Sequence, residues 1–306
     1  MTAIRTGVRI VLVHGNRPTP HSIVWKVLAM FRALGARIET WQDAPDLPPA
    51  AFARADLVIL RSVHPATAVT ARASAPPGTA WCNEPAATAT VADRVETWRR
   101  LVAAGLPVPR AQVVDDPRAV SGIAAGRPVV AKTPLGSRGK GVTLLDQGDA
   151  FPAGGRGPWL VQDRIPGDGW DRKLFVVGPH VHGTLRRWPA RSLAEKLGRP
   201  LRPDAEMADL ALGAGRVFGL CAYGVDMVGG TDGPVIVDVN AFPGFKGVPG
   251  ATGLLFDHLL GHLLGHLEGR HGHARGDSRV REAGLRLPGS AVLERGARGA
   301  ARLPDR

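Results

Sequence analysis

Short apolar runs separated by turn residues fill the first eighty positions, a pattern typical of a small α/β unit. The run 9–15 is rich in β-branched residues and ends in glycine, so it predicts a first strand. A helical pattern then begins at Thr19-Pro20 and ends at Gly35. Two strands are predicted at 36–41 and 55–62. A turn-rich connection at 74–80 follows, and a short last strand after it ends at Asn83. This order predicts a parallel sheet for the N-terminal unit.

Helices and strands alternate over the rest of the chain. A helix is predicted from Thr90, its N-cap, to Gly105, because Pro107 and Pro109 prevent its continuation. Further helices are predicted at 116–125, 204–219 and 252–268. Further strands are predicted at 110–114, 127–134, 141–146 and 159–165. Two hairpins complete the pattern, at 172–188 and 223–240.

A glycine-rich loop joins two of these strands. Its glycines, Gly136, Gly139 and Gly141, would let backbone N–H groups approach phosphate oxygens, and Lys132 and Lys140 add positive charge. The spacing does not match the Walker phosphate-binding loop, and a strand rather than a helix follows. The loop therefore predicts a flap over the phosphates of a nucleotide, with an ordinary surface turn as the alternative.

Two carboxylates and an amide are predicted to meet on the second hairpin. Positions 226 and 238 are symmetric about position 232, so Asp226 and Asp238 would face each other across the ladder. Asn240 lies two residues further on and therefore on the same face. Oxygen ligands of this kind suit Mg²⁺, without which the facing carboxylates would repel each other. The alternative is a solvated sheet edge, which the apolar neighbours disfavour.

The first hairpin and the segment before it carry a charged cluster: Asp171, Lys173, Arg186 and Arg187. Cations that face the carboxylate hairpin would neutralise a phosphoryl group during its transfer. The alternative is a solvated polar face.

Histidines mark two further places in the chain. His258, His262 and His266 are spaced by four residues and share one face of the last predicted helix. Neither an acid nor a cysteine nearby in the sequence completes a zinc site, so we expect a polar outer face. Three others fall at strand ends or loops of the N-terminal unit: His14, His21 and His64. One interpretation has them line a substrate cleft, and the alternative, which is favoured, gives them no functional role.

Composition places the chain of 306 residues among ordinary soluble proteins, with 44% hydrophobic and 22% charged residues. No apolar run reaches the length of a membrane span and the N-terminus does not read as a signal peptide, so the cytoplasm is expected. Two cysteines cannot form a disulfide framework. Part of the net charge of +12 lies in 269–306, where nine arginines stand against four acids. This segment predicts a disordered tail rather than a nucleic-acid-binding arm, because no aromatic residues interleave with the arginines.

The order of these motifs resembles the ATP-grasp superfamily, in its RimK-type branch. The resemblance covers residues 1–268 and rests above all on AKTPLGSRGKGV and DVNAFPGFKGV. It implies an α/β (α+β) fold with an N-terminal parallel α/β unit, a central lid and a C-terminal mixed-sheet unit, and ATP between the last two. The corresponding bounds are 1–86, 87–158 and 159–268, followed by the tail at 269–306.

Carried over by position, the resemblance implies roles for single residues. Lys132 and Arg94, which stands where the branch usually has Lys, would contact the ATP phosphates. The adenine hinge would be formed, largely through backbone groups, by Gln162, Asp163 and Ile165. Further nucleotide contacts would come from Gly136, Ser137, Arg138, Gly139, Lys140, Gly141, Arg164 and Asp171.

The metal and catalytic roles follow in the same way. One or two Mg²⁺ ions, with Mn²⁺ as a substitute, would be held by Asp226, Asp238 and Asn240. The transferred phosphate would be stabilised by Arg187, with Arg186 and Lys173 beside it.

The resemblance implies an ATP-dependent carboxylate–amine ligase that forms an amide through an acyl phosphate, on an amino acid, peptide or small metabolite. Members of the family also assemble as dimers or tetramers. However, Asp238 stands where these ligases generally have Glu, and DVNAFPGFKGV is also similar to the inositol polyphosphate kinases of the same fold. A kinase that phosphorylates a polyol therefore stays open as the alternative, and the flap sequence GSRGKGV favours the ligase.

Overall fold

The N-terminal unit contains the predicted parallel sheet. The computed structural model describes residues 7–136, 140–152 and 157–282. Four parallel strands in the order β2-β1-β3-β4 form the first sheet. They are β1 (Arg9–His14), β2 (Arg37–Gln42), β3 (Leu57–Arg61) and β4 (Ala80–Cys82). The apolar strands β1 and β3 are buried at the centre of this sheet. Because all four strands are parallel, their carboxyl ends lie at one edge of the sheet.

Two helices and a short 3₁₀ segment at Pro49–Ala51 connect these strands. Helix α1 (Ile23–Ala33) starts after Ser22, whose hydroxyl accepts a hydrogen bond from the Trp25 amide. Helix α2 (Pro65–Ser74) was not predicted, because its buried face is made of small residues such as Ala68 and Ala71 rather than a large apolar stripe.

The predicted single helix from Thr90 is wrong, because two helices meet at Asp93. Helix α3 (Pro85–Ala92) ends there and α4 (Arg94–Ala103) begins. The Asp93 carboxylate accepts from the Val95 and Glu96 amides at 2.8 and 3.1 Å, which makes it the N-cap of α4. Thr90 instead donates its hydroxyl to the Ala86 carbonyl inside α3.

The central sheet is antiparallel and has the order β5-β8-β6-β7. Its elements are β5 (Ala111–Val114), α5 (Pro117–Gly126), β6 (Val129–Lys132), β7 (Val142–Leu145) and β8 (Trp159–Asp163). All were predicted as elements, and β6 and β7 flank the glycine flap as expected. Strand β8 pairs with β5 and β6, so it lies in this sheet, although the predicted bounds assigned 159–165 to the C-terminal unit.

The third sheet contains both predicted hairpins and has the order β11-β10-β9-β12-β13. Its strands are β9 (Trp170–Val177), β10 (His180–Arg187), β11 (Arg199–Leu201), β12 (Ala222–Gly230) and β13 (Gly233–Ala241). Helices α6 (Leu193–Leu197), α7 (Ala205–Phe218) and α8 (Ala251–Glu282) complete the chain. The two hairpins position the charged residues of the site.

A β-bulge corrects the register of the β12–β13 hairpin. Near the turn, Gly230 lies opposite Gly233 and Met227 opposite Ile236. A regular continuation would place Asp226 opposite Val237, but the register shifts between Asp226 and Met227, so Asp226 faces Asp238. The predicted symmetry about position 232 therefore holds at the two carboxylates and not at the turn.

Helix α8 anchors the third sheet to the first. Leu255, Leu259 and Leu263 are fully buried, and the ring of Phe256 lies 4.8 Å from that of Phe31 on α1. The helix starts one residue before its predicted start and continues past its predicted end at 268.

Two compact units divide the chain, Met1–Leu267 and Glu268–Arg306. All three sheets lie in the first unit. The predicted disordered tail falls in the second, where the backbone is helical up to Glu282, and residues 283–306 lie outside the described part of the chain. Among the described residues, no helix combines the length and apolarity that crossing a membrane requires.

Candidate active site

A row of polar side chains crosses the third sheet on one face. Lys173, Asp226 and Asp238 lie directly opposite one another on β9, β12 and β13. The Lys173 ammonium donates to the Asp226 carboxylate. The Asn240 amide nitrogen lies 3.4 Å from Asp226 Oδ2 and 3.3 Å from Asp238 Oδ2. The structure therefore brings together the three residues predicted as metal ligands.

Burial gives this row unusual electrostatics. The pKa of the Asp238 carboxyl is raised, first by burial and also by Asp226, although Lys132 opposes the shift. Burial, with Asp226 close by, raises the pKa of Asp171 to about 6. Three carboxylates that share a half-buried face favour a hard divalent cation, because it would offset their repulsion and accept their oxygens as ligands. The donor set thus fits Mg²⁺.

Lys132 connects the central sheet to this row. At the end of β6, its ammonium donates to the Val237 carbonyl at 2.8 Å, and burial lowers its pKa while Asp238 opposes the shift. Val237 is the bulge residue between Ile236 and Asp238. The bulge therefore supplies the acceptor that orients Lys132 beside the carboxylates.

Arg94 supports the flap from the first turn of α4. Arg94 is buried, with 8% of its surface exposed. Its guanidinium donates to the Thr133 carbonyl at 3.0 Å and to the Lys140 carbonyl at 3.3 Å. These two carbonyls flank the glycine loop. A guanidinium carries several donors in a fixed planar arrangement, so it can bond the carbonyls on both sides of the loop. A lysine ammonium is a compact point charge and lacks this arrangement.

Two flap glycines are required by their surroundings. A Cβ at Gly136 would lie 2.6 Å from the Lys140 carbonyl oxygen and 2.8 Å from Arg94 Nη1. Gly141 has φ +68°, and a Cβ there would lie 2.0 Å from the Thr133 hydroxyl. The predicted residues Ser137, Arg138 and Gly139 lie outside the described residues.

The predicted hinge residues divide into two groups. Gln162 is buried and lines a small cavity together with Lys132 and Asp238. The side chains of the next two residues instead form surface ion pairs, Asp163 with Arg127 and Arg164 with Asp146. Their backbone amides donate to the Arg110 and Pro128 carbonyls. Ile165 is half-buried. Of these residues, Gln162 is the one whose side chain shares a cavity with the carboxylate row.

The two predicted catalytic arginines lie on opposite faces of β10. Arg186 is opposite Asp171 in the ladder and therefore on the face of Lys173, and its guanidinium lies 5.9 Å from the Phe175 ring centre. Its Nε is buried and has no hydrogen-bond partner within the described ranges. Arg187 is opposite Trp170 and lies 5.5 Å over that ring, exposed and away from the carboxylate row. The structure thus brings Arg186, and not Arg187, to the site.

A cleft of about 440 Å³ extends from the carboxylate row to the first sheet. The residues of the row line this cleft together with Arg94 and Gly136. On the first sheet, the lining comes from Arg61, Ser62 and His64 at the carboxyl end of β3. Of the histidines expected to line a cleft, His64 does so. The Arg61 guanidinium donates to the Asn16 carbonyl at 2.9 Å. Sequence reasoning missed Arg61, although its place at the end of a parallel strand is where ligands bind in open α/β sheets.

Three sheets, a glycine flap held from a helix and a half-buried carboxylate row define an ATP-grasp architecture. The chain belongs to the RimK-like ATP-grasp domain family, which matches residues 91–260. This confirms both the expected family and the expected α/β fold class.

Individual relatives agree with this assignment. A probable alpha-L-glutamate ligase of Shewanella loihica is 30% identical over 192 residues, covering 58% of this chain and 64% of that protein. The match thus spans less than two thirds of the relative's length. The crystal structure of a RimK domain ATP-grasp protein from Sphaerobacter thermophilus has a TM-score of 0.66 at 24% identity, covering 82% of this chain and 99% of that one. The ATP-grasp ligase PsnB, complexed with minimal precursor, Mg and ADP, has a TM-score of 0.59 at 23% identity, with coverage of 83% and 97%.

Proposed function

We propose that this protein is an ATP-dependent carboxylate–amine ligase that forms an amide through an acyl phosphate. The observation that carries the proposal is the half-buried row of Lys173, Asp226 and Asp238, which lines the cleft of the first sheet and, through Asp238, the Lys132 cavity. A nucleotide on one side and an acceptor on the other would meet at this row. Such positioning suits the transfer of a phosphoryl group between two anions.

ATP would bind between the central and third sheets. Lys132 would contact its phosphates, the flap would cover them, and Gln162 would lie toward the base. Asp226, Asp238 and Asn240 would hold Mg²⁺, after the Asn240 amide turns its oxygen toward the cation. The bound cation would neutralise the phosphate oxygens.

The residues of this chain would then serve two steps. In the first, an acceptor carboxylate oxygen attacks the γ-phosphorus, and ADP leaves. Arg186, with an unpaired buried Nε among the described residues, and Lys173 would stabilise the charge on the transferred group. In the second, an amine attacks the acyl carbon, loses a proton and expels phosphate. Closure of the flap would exclude water, which would otherwise hydrolyse the acyl phosphate.

The cleft suggests an acceptor with a carboxylate and a polar amino-acid or peptide backbone. Arg61 and His64 line this cleft at the end of β3, where a second anionic group would find a cation. A probable glutamate ligase is among the relatives, and PsnB was also solved in complex with a precursor peptide, which supports this class of substrate.

A kinase is the second candidate, because Asp238 stands where the resemblance implies Glu in the ligases and DVNAFPGFKGV is also similar to inositol polyphosphate kinases. In that reaction a hydroxyl would attack the γ-phosphorus, and no amine would be consumed.

A hydroxylamine assay tests the ligase and separates it from the kinase. The protein, ATP, Mg²⁺ and hydroxylamine are incubated with a panel of amino acids and short acidic peptides. We expect an acid-dependent hydroxamate together with equal amounts of ADP and phosphate, and none with Asp238→Ala. Phosphorylated polyols without hydroxamate from any acid would favour the kinase and overturn the ligase.

A further inference from the structure

A second cluster of ligand side chains shares no residue with the candidate active site. Cys82 ends β4, Cys221 precedes β12, and His258 and His262 lie on successive turns of α8. The expected polar outer face is therefore wrong for His258 and His262, which are half-buried. Sequence distance concealed the cluster, because 139 residues separate the two cysteines.

The distances within the cluster match those of a tetrahedral metal site. The two sulfur atoms lie 3.4 Å apart, and one ligand atom each of Cys82, Cys221 and His258 lies within 4.8 Å of the others. Zinc–sulfur bonds of about 2.3 Å in a tetrahedron place two sulfurs about 3.8 Å apart. Small movements of side chains would therefore suffice to bring the three donors onto one ion.

His262 supplies a fourth donor on the same helix face. Its ring centre lies 4.9 Å from that of His258, one turn earlier on α8. The next histidine of the stripe, His266, is exposed.

His258 also carries an unsatisfied polar atom. Its Nε2 is shielded from solvent and has no hydrogen-bond partner among the residues that the structure describes. An unpaired buried nitrogen destabilises the fold unless an ion or a water completes the contacts of the ring.

We propose that Cys82, Cys221, His258 and His262 bind one structural zinc ion per chain. Two thiolates and two imidazoles form a closed four-ligand set of the kind that zinc prefers, unlike the oxygen ligands of the carboxylate row. The ion joins the last strand of the first sheet, the start of β12 and helix α8. Asn83 already joins the same two strands, since its side chain bonds both Cys221 N and Ala222 O at 2.8 Å.

Metal content and cobalt spectroscopy test this proposal on the full chain. After purification with zinc, desalting and elemental analysis, we expect one zinc per wild-type chain. The Co²⁺-substituted protein should show a thiolate-to-cobalt charge-transfer band and tetrahedral visible bands. The bound zinc and the cobalt bands should be lost in Cys221→Ser and in His258→Ala, whereas His266→Ala should retain them.

Stability measurements guard against variants that only misfold. Removal of zinc by a chelator, without ATP, should lower the Tm of the wild type and of His266→Ala, and leave the Tm of folded Cys221→Ser unchanged. Zinc retained in both ligand variants would overturn the proposal. A cobalt spectrum without the thiolate band would do the same, as would a Cys82–Cys221 disulfide in protein purified without oxidant.

Discussion

The ammonium of Lys132 donates to the carbonyl of Val237, the extra residue of the bulge in β13. The bulge thus does two things at once: it faces Asp238 toward Asp226 and it turns one backbone acceptor toward the end of β6. Because both contacts depend on one irregularity, the proposed nucleotide and metal subsites are held in a fixed relationship. The proposed ligase would use this relationship to place the γ-phosphate at the metal.

Replacement of this lysine tests the nucleotide subsite. We expect Lys132→Met, which keeps the length of the side chain, to raise the KM for ATP by about 10-fold or more, because a charge-assisted bond contributes about 1.5–3 kcal/mol. Steady-state kinetics at saturating acceptor measure the change. Lys26→Met, at an exposed position of α1, is the matched control. An unchanged KM for ATP would show that Lys132 does not bind phosphate.

Loss of one predicted metal ligand should abolish Mg²⁺-dependent turnover. We expect Asp238→Ala to reduce kcat about 100-fold or more while the Tm falls little, since the removed carboxylate is repelled by its neighbours. Asp232→Ala, in the exposed turn of the same hairpin, should keep full activity. Asp238→Glu, which keeps a carboxylate at this position, should stay active as a ligase. Activity of Asp238→Ala that still responds to Mg²⁺ titration would contradict the proposed metal set.

The two neighbouring arginines give a matched pair. Arg186 lies on the face of Lys173, and Arg187 packs on Trp170 on the other face. We expect Arg186→Gln to lower kcat by about 10²–10³, the cost of losing one donor to transition-state charge. Arg187→Gln should change kcat less than about 3-fold, within the range of an exposed substitution. The opposite ranking, measured in the hydroxamate assay, would restore the role predicted from the sequence.

Local sequence patterns were sufficient to predict the hairpins and the flap, because the alternation of apolar residues and the spacing of glycines are visible within short segments. They placed Asp226 opposite Asp238, but the bulge that makes this true depends on packing across β12 and β13. The break at Asp93 was missed because its capping role is visible only where two helices meet at an angle. Arg186 and Arg187 could not be separated until the register with β9 was known. The Cys82–Cys221 pair was missed for a similar reason, since it forms between distant strands.

A single methyl group should impair the flap. We expect Gly136→Ala to lower kcat/KM for ATP about 10-fold or more, because its Cβ would collide with the Lys140 carbonyl and with Arg94 Nη1. Gly122→Ala is the control: it lies within α5, and a Cβ there would meet nothing within 4 Å. That control should keep activity and preserve or slightly raise the Tm, since alanine favours a helix. Wild-type kinetics for Gly136→Ala would mean that the flap does not close over the nucleotide in this conformation.

The end of β3 provides the last test, which concerns the acceptor rather than ATP. Arg61 lines the same cleft as Asp226 and Asn240, so a carboxylate of the acceptor would bind its guanidinium. We expect Arg61→Gln to raise the KM for the acceptor by about 10-fold or more and to leave the KM for ATP within about 2-fold, because charged hydrogen bonds contribute about 1.5–3 kcal/mol. Arg54→Gln, exposed in the same unit, is the control, and circular dichroism checks the fold of both variants. The sharper comparison uses two acceptors that differ by one carboxylate: the variant should lose its preference for the more acidic one. A uniform loss for both acceptors would mean that Arg61 supports the shape of the cleft and does not select the substrate.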